Sequence, residues 1–216
     1  MWTLYGSLGS GSAAVEMALC RCGLPFREVR ASTWEPDSAR AELLAVNSMG
    51  QIPTVVDPAG AVLTESAAIL MHLGLAFPTS GLLPADPATR AQVLRGLVFV
   101  AANCYSAIGV IDYPERWCPH ADAATLQTLR AGARLRLHSC WDCFADQFLP
   151  TMAGADEGAA QRPCALDMLA AVVSRWSGTR AHLASSRPAL LAALLVVEAQ
   201  PELQPVFARH WPASPA

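Results

Sequence analysis

An acid and a hydroxyl stand side by side at Glu65-Ser66, where a short apolar run gives way to the helical pattern "ESAAILMHLGLAF". The first N–H groups of a helix have no partner inside the helix, and the positive end of its dipole favours an anion. A serine hydroxyl adds a directed donor, and a neighbouring carboxylate suits an ammonium group. The pair therefore predicts a site for the head of an α-amino acid. The alternative is an ordinary helix start, with Thr64 as the cap and Glu65 in the first turn.

A proline opens the next candidate segment, at Pro53 in "GQIPTVVD". Proline cannot donate to a sheet ladder, and an X-Pro bond is where a cis peptide costs least. A cis Ile52-Pro53 bond would leave the N–H and C=O of Ile52 facing outward, free to bind an extended peptide-like ligand. The alternative is a trans proline that merely begins an edge strand.

The composition narrows the class of protein. The chain has 216 residues, of which 53% are hydrophobic and 15% charged, so it can bury a core as one domain or two small ones. A net charge of -3 and the lack of a dense Lys/Arg run argue against a nucleic-acid partner. The N-terminus lacks a signal-peptide pattern, and the longest apolar stretches, such as 96–102 and 190–197, fall short of a bilayer span. We therefore expect a cytoplasmic protein without a membrane partner.

Seven cysteines do not make a disulfide framework, because their number is odd and their spacing irregular. Cys140 and Cys143 have the C-x-x-C spacing of a redox or metal pair. However, they lie inside a strongly periodic helical pattern, and no second ligand pair stands out. Cys20 and Cys22 point to different helix faces. We interpret the cysteines mostly as buried, reduced side chains and predict no metal site.

The order of elements predicts the architecture. Residues 1–77 read as β-α-β-α-β-β-α, with strands at "WTLY", "FREVRA", "PTVVD" and "AVLT" and an acid-rich helix at "EPDSARAELLAVN". This order predicts an α/β domain with a mixed four-stranded sheet, similar to thioredoxin. Residues 78–88 are rich in Pro, Gly and Ser, which is typical of a linker. Residues 89–216 predict an all-helical bundle domain, beginning with one long apolar helix at "QVLRGLVFVAANCYSAIGVI".

The motifs "N-x-x-G-Q-I-P-T" and "T-E-S-x-A-I", in this domain order, resemble the cytosolic glutathione transferase superfamily. The resemblance spans the chain and is most specific over residues 47–73. It implies glutathione as co-substrate, no metal, a homodimer, and a detoxifying transfer of the glutathione thiolate to a small hydrophobic electrophile. The chain departs from the family pattern at Ser48, often a proline, and at Cys164, where a capping Ser or Thr is usual.

The resemblance also implies where glutathione binds. The backbone of Ile52, before a cis Pro53, would hold the cysteinyl moiety, and Glu65 and Ser66 would hold the γ-glutamyl head. Gln51 would lie close by.

A hydroxyl must then stabilise the thiolate, since a free thiol is mostly protonated at neutral pH. The loop "YGSLGSGSA" offers several. Ser10 falls where serine-type members, including theta-, zeta- or beta-like bacterial ones, carry their catalytic hydroxyl, and it ranks first. Ser12, Tyr5 and Ser7 follow as alternatives, while Gly11 stands where cysteine-type members hold a thiol. The competing interpretation is a loop without a catalytic hydroxyl, in a protein that binds glutathione or another protein without catalysing transfer.

The second substrate should bind between the two domains, in a pocket lined by Tyr105, Ile108, Tyr113 and Trp117. The sequence does not identify this electrophile. A glutathione-dependent peroxidase or isomerase using the same site is a further alternative.

Overall fold

A four-stranded mixed sheet forms the first part of the structure, a computed structural model that describes residues 1–153 and 162–212. The strand order is β2-β1-β3-β4. β1 runs parallel to β2 and antiparallel to β3, and β3 pairs with β4 as an antiparallel hairpin. The strands are β1 Trp2–Gly6, β2 Phe26–Arg30, β3 Thr54–Val56 and β4 Val62–Leu63. The predicted thioredoxin-like fold class is confirmed.

Three helices accompany this sheet: α1 Ser12–Arg21, α2 Arg40–Val46 and α3 Ser66–Ala76. α2 begins later than the acid-rich sequence predicts. The reason is local competition, because short polar side chains bind nearby groups in place of a helical turn. The Ser38 hydroxyl donates to the Ser32 carbonyl at 2.6 Å, and the Ser32 hydroxyl donates to the Glu35 carboxylate.

The rest of the described chain is helical, as predicted. It comprises α4 Pro87–Phe99, a π-helical segment Val100–Tyr105, α5 Ser106–Asp112, α6 Ala123–Phe148, α7 Ala165–Val173, α8 Thr179–Ser186, α9 Pro188–Glu198 and α10 Gln204–His210, with short 3-10 turns between some of them.

One continuous helix, Pro87–Asp112, is long and apolar enough to cross a membrane, with a mean hydropathy of 1.6. The expectation that no stretch is long enough was therefore wrong, because Ala, Gly and Asn extend the helix between its more apolar runs. Its buried side chains, among them Val93, Leu97 and Val100, join the same core cluster as α6 and α7. We interpret it as a core helix of the helical bundle.

The main hydrophobic core runs through the sheet layer and the helices, and a smaller cluster holds Tyr5, Val29, Ala31 and Leu43. The predicted linker contributes to the main core, because Leu82 and Leu83 are buried. The Leu82 carbonyl also accepts from the Ala165 N–H at 2.9 Å. The boundaries 1–77, 78–88 and 89–216 stay a prediction, but the segment between the two parts is packed into the core.

α7 begins with a capping box despite the cysteine at its cap. The carboxylate of buried Asp167 accepts from the Cys164 N–H at 2.6 Å and from the Ala153 N–H at 3.0 Å. Burial raises the pKa of Asp167 to about 6, against the effect of these hydrogen bonds. Asp167 therefore supplies its half of the capping box, although the cap position holds a cysteine in place of the usual serine or threonine.

The cysteines are free thiols in differing surroundings. Cys104, Cys140 and Cys164 are buried, in line with a packing role, whereas Cys20 and Cys143 are exposed. We expected most of the seven cysteines to be buried, and three of them are.

Replacing Gly96 with alanine should lower the free energy of unfolding by about 1–3 kcal/mol, because α4 and α7 meet at this glycine. A Cβ there would lie 2.5 Å from Cδ2 of Leu166, a buried core side chain. Gly132 is the matched control, since a Cβ there meets nothing within 4 Å. Gly132→Ala should be neutral or stabilising by up to about 1 kcal/mol. Urea unfolding of both variants measures the difference, and equal effects would refute the close approach.

Candidate functional site

The loop before β3 presents the backbone of Ile52. The Ile52-Pro53 bond is cis, and neither backbone group of Ile52 has a hydrogen-bond partner in the described part of the chain. Asn47 fixes the approach: its Nδ2 donates to the carbonyl of exposed Gln51 at 3.2 Å and to Oγ1 of Thr54 at 2.9 Å. Asn47 thus fixes the loop before β3, and the backbone groups of Ile52 remain free to bind a ligand.

The start of α3 lies beside this loop and has unusual backbone geometry. Glu65, an exposed residue, is the cap with φ 62° and ψ 107°. The alternative with Thr64 as the cap was therefore wrong. A positive φ on a non-glycine residue costs about 1–3 kcal/mol and is typical of functional sites.

The first N–H groups of α3 are uncapped. Ser66, its buried first residue, follows Glu65 directly. No side chain from the described residues caps this end, whereas Asp86 and Asp122 accept N–H bonds at the starts of α4 and α6. An anion is the natural partner for such an end.

The serines of the β1–α1 loop bind one another. The Ser10 hydroxyl donates to the Ser7 carbonyl at 2.7 Å, lies 2.8 Å from Oγ of Ser12, and accepts from the Ser12 N–H at 3.2 Å. The Ser7 hydroxyl donates to Glu35 at 2.8 Å. All three serines are buried. To donate to a ligand, Ser10 would have to give up its bond to Ser7.

Tyr5 lies on the other side of the sheet from this network. Its neighbour Leu4 joins the main core beneath α1, and side chains alternate along a strand. The Tyr5 hydroxyl donates to Oε1 of Glu42 at 2.9 Å, and its ring packs beside Leu43 of α2. Burial and the Glu42 hydrogen bond raise the pKa of Tyr5. The structure thus disfavours Tyr5 as the activating hydroxyl.

Tyr105, from the π-helical segment, reaches the centre of the candidate site. A Cβ placed on Gly11 would lie 2.3 Å from Oη of Tyr105 and 3.7 Å from Cδ of Pro53. This hydroxyl is buried, and within residues 1–153 and 162–212 it has no hydrogen-bond partner. Burial raises the pKa of Tyr105, and the nearby Ser66 hydroxyl lowers it, although no hydrogen bond of good geometry joins the two. The helical bundle therefore supplies a polar group to a site otherwise built by the α/β part.

The other three residues of the predicted electrophile pocket do not share this position. Ile108 is buried in the main core, and the Tyr113 ring packs 3.9 Å from the Arg116 guanidinium carbon. Trp117 is 62% exposed. It lines a cleft of about 250 Å³ formed with Ala102, Asn103, Ser106, Ala107, Val110, Ala133 and Arg136. That cleft includes no residue of the Gly11 turn, the Pro53 loop or the α3 start.

The turn after α7 and the end of α10 hold the β1–α1 loop at Gly9. The Gly9 N–H donates to Nδ1 of His210 at 3.2 Å, and Nε1 of Trp176 donates to the Gly9 carbonyl at 3.3 Å. Gly9 has φ +70°, which favours glycine. Sequence reasoning missed this clamp, since nothing local to either segment signals it.

A buried charge network supports the clamp. Nε2 of His210 lies 2.9 Å from Oε2 of Glu16, and the Arg209 guanidinium pairs with Glu16 and, at 3.6 Å, with Glu28. Atoms of Glu16, Glu28 and His210 lie within 4.8 Å of one another, close enough to hold a metal ion. We interpret them as a structural ion-pair network, because Arg209 already compensates the carboxylates and both nitrogens of His210 face partners.

The stability of the protein should fall as pH falls from about 6.5 to about 4, because burial and Arg209 lower the pKa of His210 to about 4. The unfolded chain takes up the proton near its ordinary pKa, whereas the folded chain resists it. Between pH 7 and pH 5 this residue should remove about 2 kcal/mol. Urea unfolding of the wild type and His210→Gln at both pH values isolates the effect. An unchanged difference between the two proteins would contradict the assignment.

Residues 12–75, from α1 through almost all of α3, match the family model described as "Glutathione S-transferase, N-terminal domain". This match assigns residues 12–75 to the glutathione S-transferase N-terminal domain family. It is 34% identical over 122 residues to YncG of Escherichia coli, an uncharacterized GST-like protein, covering 56% of this chain and 59% of that one. It is 38% identical over 93 residues to a maleylacetoacetate isomerase of Rhizobium meliloti, covering 43% of each. The matches thus span about half the length of these curated relatives.

Solved structures of the superfamily share the fold across nearly the whole chain. A glutathione transferase homolog from Sulfitobacter, with bound glutathione, superposes with a TM-score of 0.79 at 23% identity, covering 95% of this chain and 96% of that one. A sphingomonad glutathione S-transferase complexed with glutathione gives a TM-score of 0.73 at 23% identity, covering 98% and 100%. The chain therefore shares its overall architecture with these structures.

Proposed function

We propose that this chain binds glutathione and transfers its thiolate to a small hydrophobic electrophile. The observation that carries the proposal is the uncapped start of α3 with its strained cap Glu65, because both Ser66 of this helix start and Pro53 of the loop that presents Ile52 lie near the Tyr105 hydroxyl. The two features together suit a molecule with an amino-acid head and a peptide backbone. The glutathione bound in two structural neighbours supports the same ligand here.

In the proposed complex the γ-glutamyl carboxylate binds the first N–H groups of α3 and the Ser66 hydroxyl, and its ammonium faces Glu65. The cysteinyl backbone binds Ile52, with Gln51 nearby. This placement directs the sulfur toward the start of α1, next to Ser10 and Gly11. The positive end of α1 there lowers the pKa of the thiol.

The reaction is a nucleophilic substitution. The thiolate forms a carbon–sulfur bond with the electrophile while the bond to the leaving group breaks, and the proton of the thiol passes to solvent. A hydroxyl that donates to the sulfur stabilises the thiolate. The resemblance to serine-type members predicts Ser10, with Ser12 as an alternative, for this role, but both hydroxyls already donate to the Ser7 carbonyl. The electrophile would approach from the helical part beside Tyr105, the residue of the predicted pocket whose hydroxyl lies next to Gly11.

A glutathione-dependent isomerase is the second candidate. It is favoured by the identity shared with the Rhizobium meliloti maleylacetoacetate isomerase. In that reaction glutathione is regenerated, so the same binding residues would serve. A homodimer and a cytoplasmic location remain predictions from the resemblance and the sequence.

Calorimetric titration with glutathione, followed by a turnover assay with a chloro-nitroaromatic electrophile, tests the proposal. Binding with turnover supports the transferase, and isomerisation of maleylacetoacetate without conjugation supports the second candidate. A hydroperoxide assay addresses peroxidase activity. Binding without turnover in any assay identifies a binding module, and absence of glutathione binding overturns both candidates.

A further inference from the structure

We propose that Tyr105, not Ser10, donates the hydrogen bond that stabilises the thiolate of bound glutathione. The inference rests on the proposed function, because it names the donor at that same site. It assigns the activating hydroxyl to the helical part of the chain, whereas the sequence placed it in the β1–α1 loop.

The first observation concerns the space beside Gly11. The Tyr105 hydroxyl occupies the space that a side chain at position 11 would fill, since a Cβ there would lie 2.3 Å from Oη. Gly11 itself has φ −61° and ψ −14°, which any residue adopts. The glycine is therefore explained by the close approach of Tyr105 and not by its backbone conformation.

The unpaired hydroxyl is the second observation. Oη of Tyr105 is buried without a hydrogen-bond partner in the described part of the chain. Buried polar groups are almost always paired, and an exception needs an explanation such as a catalytic role. It lies beside Gly11 at the start of α1, where Cδ of Pro53 also approaches, and this is the place to which the proposed binding mode directs the sulfur. A thiolate there would give the hydroxyl its missing acceptor.

The other hydroxyls already have acceptors. Ser10 donates to the Ser7 carbonyl, Ser7 donates to Glu35, and Tyr5 donates to Glu42. Ser12 has the Ser7 carbonyl or Ser10 as its acceptor. A ligand would have to break one of these bonds to use a serine, whereas Tyr105 needs no rearrangement of partners. Burial also keeps Tyr105 protonated, as a donor must be.

The decisive variant is Tyr105→Phe, which keeps the ring that packs 5.9 Å from Trp176 and removes the hydroxyl alone. We expect kcat for conjugation to fall about 10- to 100-fold, the range for a hydrogen bond to a charged group. The pKa of the bound thiol should rise by about one to two units. It can be read from thiolate absorbance across pH and from the acidic limb of the kcat/KM profile. The glutathione Kd should change little. Tm should not fall, because the hydroxyl that Tyr105→Phe removes makes no hydrogen bond within the described residues.

Ser10→Ala is the comparison. It should lower Tm, because the loop loses hydrogen bonds, and leave the thiol pKa nearly unchanged. If the thiol pKa rises in Ser10→Ala and not in Tyr105→Phe, the assignment is overturned while the transferase function stands. If the wild type does not bind glutathione, the proposed function fails and this inference with it.

Gly11→Ala supplies an independent check. In the wild type the added methyl should displace the hydroxyl and reproduce the raised thiol pKa. In the Tyr105→Phe background it should add little further loss, since the ring carbon Cζ is 3.4 Å away. Fully additive losses in kcat would contradict the proposed pairing of these two positions.

Discussion

Glu16→Ala should lower the free energy of unfolding by about 1–3 kcal/mol, because it leaves the buried His210 N–H without its acceptor, whereas the Arg209 side chain is 47% exposed and stays solvated. Glu16 is 2% exposed, and its two carboxylate oxygens face His210 and Arg209. Its removal leaves the guanidinium of Arg209 with Glu28 as its remaining ion-pair partner among the described residues and deprives the His210 ring of its acceptor. Urea unfolding measures the loss.

Asp146→Ala is the matched control for this carboxylate. Asp146 also pairs with an arginine, Arg187, but its side chain is 61% exposed. Solvent screens such a pair, so the loss should stay within about 1 kcal/mol. Similar losses of unfolding free energy in the two variants would show that the Glu16 network stabilises the protein no more than a surface ion pair does.

Substitutions of Glu65 should change stability and glutathione affinity in opposite directions. Glu65→Gly relieves the positive φ and should raise the free energy of unfolding by about 1 kcal/mol. It also removes the carboxylate proposed to face the γ-glutamyl ammonium, so glutathione affinity should fall about 10- to 100-fold. Calorimetric titration and urea unfolding measure the two quantities.

Two further variants separate charge from backbone conformation. Glu65→Gln should lose comparable affinity without the gain in stability, because the strained backbone remains. Glu115→Gln changes an exposed acid of a 3-10 turn after α5 and should leave glutathione affinity unchanged. If Glu65→Gln binds glutathione as the wild type does, Glu65 does not hold the ammonium.

The order of strands and helices along residues 1–77 and the cis Ile52-Pro53 bond were predictable, because their signals are local. A strand-opening proline, the turn "DPAGA" and an acid-hydroxyl pair at a helix start each act over a few residues. Local reasoning failed where short polar side chains compete with a helix, as Ser32, Glu35 and Ser38 do before α2.

The contacts that decide the chemistry join distant segments and could not be predicted. Gly9 meets His210 across 201 positions, and Gly11 meets Tyr105 only because the helical bundle packs against α1. The sequence shows Gly11 as one small residue in a Gly/Ser loop, where flexibility is the obvious explanation. The structure shows instead that the Tyr105 hydroxyl, from a distant part of the chain, leaves no room for a side chain at position 11.

A crystal structure of the full chain with glutathione tests the central claim most directly. We expect the γ-glutamyl carboxylate at the Ser66 N–H and hydroxyl, the ammonium at Glu65, and the cysteinyl backbone at Ile52. Glutathione bound away from these three residues, or no bound glutathione at saturating concentration, would contradict the account.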